Sequence, residues 1–148
     1  MTLEEVYSRA TNEGITLGRV AVALEADEAG VAEEDILARV AEMLSVMREA
    51  VKQGLETNVR SRSGLSGGDA AKVFGNAPQR RLPGNDLLAR ASAYALSVSE
   101  VNASMGKIVA APTAGSCGVI PGAILAYADL APSCPDAILI DALCAAGL

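Results

Sequence analysis

The sequence predicts an all-α protein, and three observations carry that prediction. Aromatic residues make up only 3% of 148 residues, with no Trp and with Phe74 as the sole Phe, while hydrophobic residues reach 51%. A core made of Ala, Leu, Val and Ile suits close-packed helices. Apolar residues also recur at steps of three and four along most of the chain, and residues that start and stop helices bracket those runs.

Thr2 with Glu5 forms a capping box for a first helix running to about Asn12. Gly14 breaks it, and Thr16 to Ala29 follows with Leu17, Val20, Ala21 and Leu24 at helical spacing, ended by Gly30. The longest candidate runs from Glu33 to about Asn58, where Ile36, Leu37, Val40, Ala41, Leu44, Met47 and Val51 make one stripe. Glu33, Glu34 and Asp35 fill its first turn, where the helix dipole favours negative charge. Arg60 to Asp69 is polar, basic and glycine-rich and reads as a loop. A short helix, Ala70 to Phe74, precedes a second loop, Asn76 to Gly84, with Pro78, Pro83, Arg80 and Arg81. Asn85 caps a long helix to about Met105, with Leu88, Ala91, Ala95 and Val98 on one face and Gly106 as its stop. A helix from about Val119 to Ala131 comes next. Pro132-Ser133-Cys134-Pro135 then turns the chain, with Pro135 at the first position of a last helix capped by Ser133 or Cys134. That helix reaches Leu148 without a stop signal, as if cut.

Charge narrows the function. With 12 Lys and Arg against 18 Asp and Glu, the net charge of −6 argues against nucleic acid, which demands a basic footprint. The absence of His removes imidazole bases and imidazole metal ligands from this chain. The acidic start Met1 to Glu5 has no signal-peptide character. Residues 108–128 carry no charge, but their prolines, glycines and hydroxyls do not suit a membrane span. Three cysteines without a signal peptide point to a reducing cytoplasm, where thiols stay free or bind metal.

The richest stretch is Ala110-Ala111-Pro112-Thr113-Ala114-Gly115-Ser116-Cys117-Gly118-Val119-Ile120-Pro121-Gly122, which runs straight into a helical pattern. A thiol at a helix start sits beside unpaired backbone N–H groups and the positive end of the dipole, which favours its thiolate. Cys117 therefore reads as a metal or cluster ligand, a nucleophile, or a small buried residue in a tight turn. No Cys-x-x-Cys occurs, so a self-contained zinc or iron–sulfur site is not encoded, and Cys134 and Cys144 read as packing residues. The loop Ser63-Gly64-Leu65-Ser66-Gly67-Gly68, beside Arg60 and Arg62, reads either as a carboxylate or phosphate cradle or as a surface loop; it lacks the Gly-Lys-Ser/Thr ending of a Walker motif. Asn102, Ser104 and Lys107 lie just before the cysteine stretch.

Two strings together, Ser63-Gly64-Leu65-Ser66-Gly67-Gly68-Asp69 and Asn102-Ala103-Ser104-Met105-Gly106-Lys107-Ile108-Val109-Ala110-Ala111-Pro112-Thr113-Ala114-Gly115-Ser116-Cys117-Gly118, resemble the alpha subunit of the iron–sulfur-dependent L-serine dehydratases. The resemblance covers nearly the whole chain. It implies that residues 1–148 form the N-terminal part of a single all-helical catalytic domain, with a C-terminal half and a beta subunit or domain as partners in an oligomer. The family's activity is L-serine ammonia-lyase, which makes pyruvate and ammonia and feeds amino-acid degradation and gluconeogenesis in the cytoplasm. The implied cofactor is a [4Fe–4S] cluster with three cysteine ligands and an open iron acting as a Lewis acid on the serine hydroxyl. A base takes the Cα proton, and the resulting aminoacrylate hydrolyses as an imine. Position in the motif makes Cys117 the first cluster ligand. It makes Thr113, Ser116 and Asn102 polar contacts to L-serine, and Ser63, Gly64, Ser66, Gly67 and Gly68 the cradle of its carboxylate. No pyridoxal-phosphate lysine is expected, so Lys107 has no cofactor role. The segment resembling Gly-Cys-Gln-Ala-Glu-Cys-Gly that supplies the other two ligands is absent. The chain alone is then expected to be inactive, and its catalytic base is not identified. The alternatives are a non-catalytic helical remnant that binds a partner, and a thiol enzyme built on Cys117 with no His to activate it.

Overall fold

A computed structural model describes residues 2–56, 59–76 and 86–148. Among these, seven α-helices and one 3-10 turn appear and no strand: α1 Leu3–Glu13, α2 Leu17–Ala29, α3 Glu33–Glu56, α4 Asp69–Asn76, α5 Asp86–Ala103, α6 Val119–Leu130 and α7 Asp136–Ala145, with the 3-10 turn Ala114–Ser116 before α6. The all-α expectation holds. The expected Asn85 cap and the second loop, with Pro78, Arg80, Arg81 and Pro83, lie outside the described residues.

The residues fall into two compact units, Met1–Met43 with Cys134–Leu148, and Leu44–Ser133, the division falling within α3. In the first unit, the capping box is complete. Thr2 N donates to Glu5 Oε2 at 2.6 Å and Glu5 N donates to Thr2 Oγ1 at 3.3 Å. The Thr2 amide and hydroxyl hold the Glu5 carboxyl below its ordinary range. Gly14 and Gly30 close α1 and α2 in the left-handed region, at φ 64 and 67. Val6, Ala10 and Val20 form one core cluster, and Val22, Ala26, Ile36 and Cys144 a second. Each fully buried Val contributes on the order of 1.5–3 kcal/mol. At the start of α2, Thr16 Oγ1 accepts from Arg19 N at 3.1 Å and donates to Asp141 Oδ1 of α7 at 2.5 Å. Helix α7 begins one residue later than expected. Pro135 is extended (φ −73, ψ 152) and is itself the N-cap, its carbonyl accepting from Ile138 N at 3.0 Å.

The second unit is organised around α5. Its buried positions Ala89, Ala93, Ser97 and Glu100 make a stripe of small residues ending in a carboxylate. Ala91 and Ala95 let α6 come unusually close. A Cβ on Gly118 would lie 2.2 Å from the Ala95 carbonyl oxygen, and one on Gly122 2.7 Å from that of Ala91. Only glycine permits this approach. On another side of α5, Tyr94 donates to Asp129 of α6 and stacks at 5.8 Å on Phe74 of α4. Arg90 lies 3.6 Å from Asp129 and 5.9 Å over the Phe74 ring. Burial, then the Asp129 carboxylate, raise the Tyr94 phenol above its ordinary range, with Arg90 opposing.

The end of α5 departs from the sequence expectation. The helix stops at Ala103, and Met105 takes the left-handed conformation at φ 68. Met105 N donates to Asn102 O at 3.0 Å and Gly106 N to Val101 O at 2.8 Å, the two bonds of a Schellman closure. Gly106 is needed for room instead, since a Cβ there would lie 2.5 Å from Val101 Cγ1.

Candidate functional site

The last turn of α5 brings the two predicted motifs together. From one side, Arg62 N donates to Ala103 O at 3.4 Å, seating the 59–68 loop on the helix end. From another, Asn102 Nδ2 donates to Ala114 O at 3.0 Å, seating the turn that leads to Cys117. Asn102 thus anchors the thiol-bearing turn.

The cysteine turn starts after a cis Ala111–Pro112 peptide. Thr113 is extended, and its Oγ1 accepts from Ser116 N at 3.3 Å and lies 3.1 Å from Ser116 Oγ. A Thr hydroxyl in this position satisfies an amide that the short turn leaves unpaired. Thr113 is exposed and Ser116 half-buried, so both hydroxyls can reach a ligand. Cys117 follows, only 1% exposed. Burial pushes its thiol up, and its own backbone amide opposes this less strongly. The helix start was expected to favour a thiolate, but at Cys117 burial disfavours the charged form more than the backbone amide favours it. A metal reverses that balance, because a coordinating thiol loses its proton outright. A free nucleophilic thiol fits this environment poorly.

The serine–glycine loop closes on itself. Ser61 N donates to Ser66 O at 2.9 Å, Gly64 N to Ser61 O at 2.8 Å and Ser66 N to Ser61 Oγ at 3.1 Å. Ser63, Gly64 and Ser66 are exposed, while Gly67 and Gly68 are buried. Gly67 has φ 126, and a Cβ there would lie 2.1 Å from the Val59 carbonyl oxygen. Arg60 turns inward, its Nη1 donating to Gly67 O at 3.0 Å.

A residue absent from the sequence reading holds this loop in place. Glu100, 8% exposed, accepts from Gly68 N at 2.9 Å through Oε2, and from Asp69 N at 2.7 Å and Ala70 N at 3.1 Å through Oε1. Those are the amides that the start of α4 leaves unpaired. The Gly68 amide, expected to face a substrate carboxylate, is taken by a carboxylate of the protein itself. The signal lay in the Ala89, Ala93, Ser97, Glu100 stripe, where a charge stands at a buried helical position.

Among the described residues, no group of three His, Cys, Asp or Glu side chains is placed to hold a metal. Cys144 packs with Val22, Ala26 and Ile36, where burial and Asp141 push its thiol up, and Cys134 Sγ donates to Pro135 O at 3.8 Å. Cys117 therefore stands as a single thiol. On this donor set the described residues do not by themselves fit a four-iron cluster, which needs several thiolates. No helix among the described residues is long and apolar enough to cross a membrane.

The family model for the serine dehydratase alpha chain matches residues 12–148. The chain belongs to the serine dehydratase alpha chain family. A probable L-serine dehydratase alpha chain of Bacillus subtilis is 38% identical over 124 residues, covering 84% of this chain and 41% of the relative. An L-serine dehydratase alpha chain of Peptoniphilus asaccharolyticus is 34% identical over 125 residues, 84% of this chain and 43% of the relative. An L-serine dehydratase of Escherichia coli is 64% identical over a shorter stretch of 36 residues, 24% of this chain and 8% of that protein. The chain thus spans about two fifths of the length of the two alpha chains it matches. No solved structure matches.

Proposed function

We propose that this chain is part of an L-serine ammonia-lyase and contributes one cluster thiol and the pocket for the amino acid. The observation that carries the proposal is the convergence of the 59–68 loop and the Cys117 turn on the last turn of α5, through Ala103 and Asn102. Cys117 would be one ligand of a [4Fe–4S] cluster whose other thiolates come from outside these residues. When bound, such a cluster supplies a Lewis-acidic iron for the substrate hydroxyl.

The chain's own residues do the positioning. Ser63 and Ser66 present exposed hydroxyls, with Gly64 between them, to the substrate carboxylate. Gly67 and Gly68 shape the floor of that loop, and the Gly68 amide, already engaged by Glu100, fixes its depth. Thr113 and Ser116, whose hydroxyls lie 3.1 Å apart, contact the amino acid beside the thiol. Asn102 holds that turn and reaches the same space. In an acidic chain, Arg62 supplies local positive charge for an anionic group. The partners in this reading are the remaining part of an alpha chain and a beta subunit or domain, assembled in the cytoplasm.

The test is anaerobic iron–sulfur reconstitution of this chain, alone and mixed with the remaining part of a serine dehydratase alpha chain. The chain alone should gain no cluster absorbance. The mixture should turn brown and release pyruvate from L-serine, and Cys117→Ser in the mixture should abolish both. A mixture that forms no pyruvate, or a Cys117→Ser mixture with full activity, rejects the proposal.

A further inference from the structure

We infer that Glu100 is a positioning residue for the substrate carboxylate: it sets the serine–glycine loop by occupying the inner part of the loop's own anion cradle. The inference rests on the reading of that loop as the carboxylate site and adds the residue that tunes it.

The geometry is specific. One buried side chain satisfies three consecutive amides, Gly68, Asp69 and Ala70, with both of its oxygens. Charge-assisted bonds of this kind are shorter and stronger than neutral ones. The bonds cross from α5 to residues 30 to 32 positions earlier, so they fix the loop's foot to a rigid helix rather than to itself. The foot has no slack, because Gly67 is pressed against Val59 O. What remains exposed is the tip, Ser63 to Ser66. An external carboxylate is therefore excluded from Gly68 to Ala70 and directed to that tip, beside the neighbouring Arg62. At about 100° per residue, Glu100 and Asn102 leave α5 roughly 160° apart, so two residues of one helical turn set the loop and the thiol turn separately.

Glu100→Gln keeps the shape but sets an NH2 donor against one of the three amide donors. In the reassembled enzyme, the expected result is a KM for L-serine about tenfold higher with kcat within twofold and unchanged cluster absorbance. The inhibition constant of ethanolamine, an amino alcohol with no carboxylate, should stay within twofold. A variant that weakens L-serine and ethanolamine equally, or that leaves KM unchanged, overturns the inference, since a general packing role would move both ligands or neither. If Glu100→Gln does not fold, the unmodified reassembled enzyme decides. Adding L-serine should slow amide hydrogen exchange at the tip, residues 63–66, and leave Gly68 to Ala70, already held by Glu100, unchanged; no slowing at the tip, or slowing centred on Gly68 to Ala70, overturns the inference. A wild-type mixture that makes no pyruvate rejects the proposed function and this inference with it. An active wild type beside an indifferent Glu100→Gln rejects this inference alone.

Discussion

Replacing Gly118 by Ala tests how closely α5 and α6 approach. Gly118 has φ −87 and ψ −21, which alanine adopts freely, so backbone strain plays no part. The added methyl would lie 2.2 Å from the Ala95 carbonyl oxygen, where ordinary contacts begin near 3.4 Å. The obstacle is backbone inside a helix, and no rotamer change relieves it. The two helices must part by about an ångström. Overpacking typically costs about 1–3 kcal/mol, and the upper end applies where backbone must move. About 3 kcal/mol corresponds to a loss of roughly 6–12 °C in Tm for a chain of this size. Gly75→Ala in α4 is the matched control. Nothing lies within 4 Å of its added methyl, so helix propensity alone acts and stability should rise by up to about 1 kcal/mol. Urea titrations followed by circular dichroism at 222 nm measure both. A Gly118→Ala midpoint equal to or above wild type would refute the close packing argued here.

Other expectations follow from single environments. Cys117, buried with its thiol pushed up, should react with iodoacetamide at pH 8 far more slowly than half-buried Cys134, which mass spectrometry of timed digests resolves. The raised thiol pKa favours the neutral form in the folded state. Its contribution to stability is therefore complete below the ordinary thiol range and lost as pH rises through the folded value, so urea midpoints should fall on that alkaline limb and fall less in Cys117→Ala. Met105→Gly should stabilise by up to about 1 kcal/mol, because the left-handed conformation at φ 68 costs a side-chain-bearing residue and the Met side chain is 78% exposed. Tyr94 should titrate above the free phenol by ultraviolet absorbance, and Asp129→Asn should bring it down.

Helix starts were plain in the sequence where a side chain makes the cap. Thr2 with Glu5 makes the expected capping box, while Thr16, read as the first residue of the second helix, turns out to be its cap and accepts from Arg19 N. Ends governed by tertiary contact were not. Gly106 reads as a stop because glycine tolerates the left-handed region, yet Val101 crowds position 106 and the unusual φ falls on Met105. The Cys117 turn was visible from its glycines and prolines. Its burial was not, because burial is decided by tertiary packing and not by the residues of the turn itself. Glu100 escaped notice because a lone Glu in a helix ordinarily faces water. Its partners are backbone amides, which leave no mark on residue identity.

The shared post at the end of α5 constrains chain length. Inserting or deleting one residue between Ala95 and Glu100 would rotate Glu100 and Asn102 by about 100° against the face that meets α6. Both grips would be lost in one event, although no side chain in either had changed. Engineering of this region can therefore trade letters within α5 but must keep its phase.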